Sequence, residues 1–260
     1  MPGGAVKMLR GLVGAAVAAV WALAGVADAR STDFSDWAVV VVAGDWRGHT
    51  GPTQAFDNAR KDLSAAFVRA GFRRDNVRQY SLRPGKAGDD LAIVVEPPAV
   101  HDGLIEVARQ ARSGCLFYLT SHGFPGGAVY GPSTNLTPGD LDQMLTRACG
   151  PRPTVVVVSS CFSGSFVPVV SRPHRMVLTA ARADRSSFGC GERNRYPYFD
   201  ACVLESLPKA TTFPDLADKA RACVARMETE TGMTPPSEPQ VRVGAQVQAS
   251  LQALRFKHSP

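Results

Sequence analysis

The chain is short of several features that would settle its class at once. Only 20% of its 260 residues are charged, and the net charge of +6 is mild. Lys and Arg are scattered rather than run together, which argues against a nucleic-acid tract or a polybasic membrane patch. No spacing of cysteine and histidine matches a structural zinc site. No glycine-rich turn follows an apolar run in the pattern that cradles phosphate. There is no internal repeat and no clear linker, so one domain of ordinary size is expected. No metal and no cofactor are expected.

Long apolar runs are also scarce. The longest, "LVGAAVAAVWALAGVA" at Leu12 to Ala27, falls below the about 20 residues of a spanning helix. Lys7 and Arg10 precede it, and Ala27-Asp28-Ala29 follows with the small-x-small pattern of a cleavage site. Residues 1–29 are therefore expected to be a signal peptide, and residues 30–260 a single exported domain, periplasmic or secreted. Integral membrane association is not expected after cleavage; an uncleaved anchor is the alternative. The six cysteines, Cys115, Cys149, Cys161, Cys190, Cys202 and Cys223, are widely spread. Export makes disulfides possible. If Cys161 is a working thiol, at least one other cysteine is unpaired. Cys115 and Cys149 each stand near the start of an expected strand, and neighbouring strands would bring them within bridging reach.

What is present reads as alternating strands and helices. "WAVVVVAG" at Trp37 to Gly44 is a run buried on both faces, hence a parallel strand. Thr53 to Gly71 has helical spacing in Phe56, Leu63 and Phe67, with Gly71 as a stop. "NVRQYSL" is a second strand, Arg83 to Pro98 a connection, and His101 to Gly114 a helix leading into the strand "CLFYLTSHG". A loop from Gly126 to Thr137, with room for a small hairpin, precedes a helix with Thr137 as N-cap and Pro138 at its first position. "TVVVVSS" and "RMVLTAA" are further strands, Phe199 to Leu207 and Phe213 to Thr231 helices, and "QVRVGAQVQ" a final candidate strand. This alternation predicts a doubly wound sheet with helices on both faces. Ligands in such sheets bind at the carboxyl ends of the strands.

Three strands end there in reactive residues. They run into Asp45-Trp46-Arg47, Ser121-His122-Gly123 and Ser159-Ser160-Cys161. A thiol, an imidazole and a carboxylate on one sheet edge are the set a cysteine nucleophile needs. Gly123 and Gly164 would let main-chain amides approach a substrate oxyanion. Taken singly, each residue has a plainer explanation. Free cysteine is commonly a buried inert thiol. Asp45 fits a turn carboxylate, Arg47 a solvated loop residue, and Asp200 a helix cap. His49, His101, His174 and His258 read as surface residues.

The segments "LTSHG" (Leu119 to Gly123), "SSCFSGS" (Ser159 to Ser165) and "LTAARADRSSFGC" (Leu178 to Cys190) together resemble the caspase-like clan of cysteine peptidases. Within it they are most similar to the legumain family, the C13 asparaginyl endopeptidases, and to its exported bacterial relatives. The resemblance implies a caspase-like three-layer α/β/α sandwich with a mostly parallel central sheet. It implies Cys161 as nucleophile, His122 as proton carrier and main-chain N–H groups of Gly123 and Cys161 as oxyanion hole. Asp45 stands where legumains carry an Asn, and as a carboxylate could orient His122. Arg47, Ser159, Ser186, Ser187 and Asp200 fall at substrate-binding positions. Ser159 replaces an acidic residue of the family, so an unopposed Arg47 could favour Asp over Asn before the cut.

The expectation is an exported cysteine endopeptidase acting on protein or peptide after Asn or Asp, with no nucleic-acid partner and an open oligomeric state. Two alternatives remain at this point. The same acyl-enzyme serves a transpeptidase or ligase, and the same fold serves a non-catalytic binding module.

Overall fold

All seven residues of Trp37–Ala43 (β1) are buried, and their side chains divide alternately between two cores. Val39 and Val41 face one side; Ala38, Val40 and Val42 face the other. That pattern needs cover on both faces, and the computed structural model supplies it. It describes residues 33–84 and 92–258, together with Met1 and Gly3. The expected signal peptide lies outside the described residues, Met1 and Gly3 apart.

From β1 the chain runs through α1 (Ala55–Arg69), β2 (Val77–Ser81), β3 (Ala92–Val94), α2 (Pro97–Gln110) and β4 (Gly114–Thr120). A small three-stranded sheet follows, made of β5 (Gly123–Phe124), β6 (Gly127–Val129) and β7 (Asn135–Leu136). Next come α3 (Pro138–Cys149), β8 (Thr154–Ser159), α4 (Val167–Val170), β9 (Arg175–Thr179), α5 (Tyr198–Ser206) and α6 (Phe213–Thr231). The described chain finishes with β10 (Gln240–Val243) and α7 (Val247–Ala253).

The main sheet has seven strands in the order β10-β9-β8-β4-β1-β2-β3. All neighbours are parallel except β10, which pairs antiparallel with β9. One core holds Leu63 and Phe67 of α1, Phe199 and Val203 of α5, Leu216 and Val224 of α6 and Leu251 of α7. The other holds Val100 and Leu104 of α2, Leu141 and Leu145 of α3 and Val170 of α4. This is the expected three-layer sandwich. Among the described residues no helix is long and apolar enough to cross a membrane.

Local chemistry fixes the ends of the elements. Thr137 caps α3 through the amide of Asp140, and Asp140 returns a bond to the Thr137 amide, which satisfies two orphan donors. The helix expected from His101 starts earlier: Pro97 and Pro98 open α2, where a missing N–H costs nothing. β3 lies inside the segment expected to be a plain connection.

Cys115 of β4 and Cys149 at the end of α3 form a disulfide, as the neighbouring-strand argument anticipated. A second bridge, Cys202–Cys223, ties α5 to α6; no spacing signal in the sequence points to it. Cys161 and Cys190 are left free.

Candidate active site

The register of the sheet brings the three reactive strand ends together. Thr120 of β4 pairs with Ser159 of β8, and Ala43 of β1 pairs with Thr120. Just beyond the strands, the Ser121 amide donates to the Ser159 carbonyl at 3.0 Å. The Gly44 amide donates to the Thr120 carbonyl at 3.0 Å. The segments carrying Asp45, His122 and Cys161 therefore leave the sheet side by side. A Cβ on Gly123 would run into the carbonyl oxygen of Cys161 and the Ser160 side chain. Glycine at 123 is thus what lets the histidine and cysteine exits pack together. Gly164 has a different job from the one expected: a Cβ there would strike the chain's own backbone at Arg182 and Ala183.

His122 is half-buried and held from two sides. Its Nε2 lies 2.8 Å from the Arg47 carbonyl oxygen. A carbonyl can only accept, so a neutral ring must carry its proton on Nε2, and Nδ1 keeps its lone pair. Phe56 of α1 meets the ring edge-on, with centroids 5.1 Å apart. The helical pattern marked Phe56 as a core residue, and it is buried; its contact with His122 carries no sequence signal.

Cys161 follows β8 and is half-buried. Its Sγ accepts from the Ser187 amide at 3.3 Å and lies 3.5 Å from the Ser187 carbonyl, which can take the S–H. The Ser187 hydroxyl is 3.6 Å away. Ser187 thus meets the sulfur through both its main chain and its hydroxyl; Ser186 beside it is exposed. The next residue after the cysteine, Phe162, has φ +56°, in the left-handed region that non-glycine residues avoid. Its amide donates to Arg185 and its carbonyl accepts from Ser165, which hold the turn. Strain held in this way projects Cys161 from the strand end.

Asp45 does not orient His122. Its buried carboxylate accepts from the Trp46 and Arg47 amides at 2.7 and 3.1 Å and from Arg47 Nε and Nη2, both at 2.9 Å. A two-residue spacing places the guanidinium over its own loop carboxylate, and a bidentate pair satisfies both better than a reach to the ring. Arg47 is therefore opposed, and its guanidinium is held charged by Asp45. It remains exposed, with side-chain accessibility of 55%, and Asp45 engages only its Nε and Nη2.

Ser159 and Asp200 do not line an open pocket, because both are buried. The Asp200 carboxylate accepts from the Tyr118 hydroxyl at 2.6 Å and the Thr120 hydroxyl at 2.5 Å, and from the Ser159 side chain. Burial pushes its pKa up to about 6, against the pull of those three hydroxyls. Asp200 braces the ends of β4 and β8 from beneath.

The second free thiol, Cys190, lies three residues beyond Ser187. Burial first, and then the nearby Cys161, push its pKa up to about 11. Of the four remaining histidines, His49 and His258 are exposed as expected, whereas His101 and His174 are half-buried. Burial lowers the His174 pKa. Among the described residues no group of three or more His, Cys, Asp or Glu is placed to hold a metal ion.

The Peptidase C13 family model matches residues 102–212. That stretch contains His122, Gly123, Ser159, Cys161, Ser186, Ser187 and Asp200; Asp45 and Arg47 precede it. Among solved structures, caspase-1 from Spodoptera frugiperda matches with a TM-score of 0.58 at 12% identity, over 83% of this chain and 89% of that one. At that identity the likeness is one of fold. No curated protein matches the chain in sequence. The resemblance to the C13 peptidases and the caspase-like fold both stand, and together they support a cysteine peptidase.

Proposed function

We propose that this chain, a caspase-like fold carrying a C13 peptidase segment, is an exported cysteine endopeptidase that cuts after Asn or Asp. The observation that carries the reading is the adjacency of the His122 and Cys161 exits on one sheet edge, packed together at Gly123. Two disulfides support export to an oxidising compartment.

In this mechanism His122 Nδ1 takes the Cys161 proton, since Nε2 is engaged with the Arg47 carbonyl. The thiolate adds to the scissile carbonyl. The oxyanion is held by the Gly123 and Cys161 amides. Protonated His122 returns the proton to the leaving amine, the C–N bond breaks, and the acyl group stays on Cys161. Water, deprotonated by His122, then releases the acid and restores the thiol. No cofactor takes part. Arg47 recognises the residue before the cut through the donors that Asp45 leaves free. A carboxamide oxygen and a carboxylate can each accept from it, so Asn and Asp both fit.

A peptide-library cleavage profile, run beside Cys161→Ala, tests this reading. Cleavage concentrated after Asn or Asp and lost in the variant is expected. No cleavage by the wild-type chain, or the same profile in the variant, would overturn it.

A further inference from the structure

Glu192 is exposed and lies two residues beyond Cys190. Its Oε1 accepts from the Thr50 amide at 2.5 Å, the Gly51 amide at 2.8 Å and the Thr50 hydroxyl at 3.2 Å. Those main-chain donors hold its carboxyl down at about 2, so it is ionised at working pH. An exposed carboxylate tied by two consecutive amides is more than a surface charge, because it fixes a backbone.

The backbone it fixes is a tight turn. Arg47 bridges Pro52, the Gly48 amide donates to the Gly51 carbonyl at 2.6 Å, and the Thr53 amide donates to the Trp46 carbonyl at 2.9 Å. Gly48 leaves room for the clasp: a Cβ there would lie 2.7 Å from Glu192 Oε1. A second tie runs the same way, from the Thr53 hydroxyl to the Gly191 carbonyl at 3.2 Å.

Both ends of the clasp lead to the site. The segment bearing Glu192 includes Ser187, whose amide touches Cys161 Sγ. The turn bears the Arg47 carbonyl that holds His122 Nε2. Gly123, next in the chain to His122, in turn lies against the Cys161 carbonyl. The contacts close a ring around the two reactive groups.

We propose that Glu192 is a positioning residue which, by clasping the Thr50 and Gly51 amides, sets the Arg47 carbonyl and through it the His122 ring relative to Cys161. The proposal rests on the peptidase reading. Asp45 holds the Arg47 side chain separately, so substrate recognition survives loss of the clasp. Glu192→Ala should lower kcat roughly tenfold, part of what a positioned base contributes, and leave KM within about twofold. Glu192→Gln, which keeps an acceptor oxygen, should recover most of kcat. Gly48→Ala, whose Cβ intrudes on the carboxylate, should reproduce the loss. Unchanged kcat in folded Glu192→Ala, or a rise in KM alone, would overturn the proposal.

A readout independent of turnover is the His122 tautomer, followed by nitrogen NMR on the full chain. Loss of the Nε2–H form in Glu192→Ala is expected; an unchanged population would overturn the proposal. If the wild-type chain cleaves nothing, the peptidase reading fails, and the tautomer measurement still decides whether Glu192 sets the ring.

Discussion

His122 Nε2 is hydrogen-bonded to the Arg47 main-chain carbonyl, 2.8 Å away. The group that orients the imidazole is therefore a backbone oxygen, and the neighbouring carboxylate of Asp45 serves the Arg47 side chain instead. Substitutions should separate these two jobs.

Asp45→Asn should change kcat by less than about tenfold, whereas removing the carboxylate of a true triad costs about ten-thousandfold. Its effect should fall on KM for Asn and Asp substrates, through a loosened Arg47. Steady-state kinetics on one peptide pair suffices. A collapse of kcat at constant KM would restore Asp45 to the triad.

Arg47→Lys should act on recognition although the charge is kept. The planar fork that meets Asp45 in two bonds cannot be copied by a single ammonium. We expect kcat/KM for Asn and Asp peptides to fall roughly tenfold or more, equivalent to at least about 1.4 kcal/mol. Equal efficiency in the variant would remove Arg47 from the pocket.

The two free thiols should differ in reactivity. With its pKa pushed up to about 11, Cys190 holds only about one part in a thousand as thiolate at pH 8. Alkylation of the unreduced protein, mapped by mass spectrometry, should leave Cys190 slow until alkaline pH and leave the four bridged cysteines unmodified. Rapid Cys190 labelling at neutral pH would contradict the burial on which this rests.

Much of this architecture was legible beforehand. Unbroken apolar runs such as Trp37–Ala43 and Val155–Val158 announce strands buried on both faces, and the strand-end rule then places Asp45, His122 and Cys161 on one edge. Periodicity reports which face of an element is apolar; it does not report which polar atoms meet. For that reason the Asp45 pairing with Arg47, the Asp200 brace and the Glu192 clasp stayed hidden. Phe162 reads as an ordinary aromatic, because nothing in its neighbours announces φ +56°. The Cys202–Cys223 bridge joins two helices whose packing angle no sequence pattern gives.

Asp200 makes a prediction with a definite sign. Its folded-state pKa of about 6 lies above the ordinary value of about 3.9, so the folded protein holds the proton more tightly than the unfolded chain. The stability this contributes is fully present below about pH 4 and is lost as pH rises through about 6. Relative to Asp200→Asn, the wild type should gain about 2 kcal/mol between pH 7 and pH 4. Denaturant curves at both pH values measure it, and parallel curves would contradict it.

The central claim is that Cys161 forms the acyl-enzyme with His122 as its proton partner. The most direct measurement is intact-protein mass after rapid mixing with an ester of an N-acylated asparagine, followed by peptide mapping. The account predicts one acyl group on Cys161 in the wild type and none in Cys161→Ala. It predicts an acylation rate reduced at least about a hundredfold in His122→Ala. An unmodified Cys161 under turnover, or acylation of the Cys161→Ala protein at the wild-type rate, would contradict it.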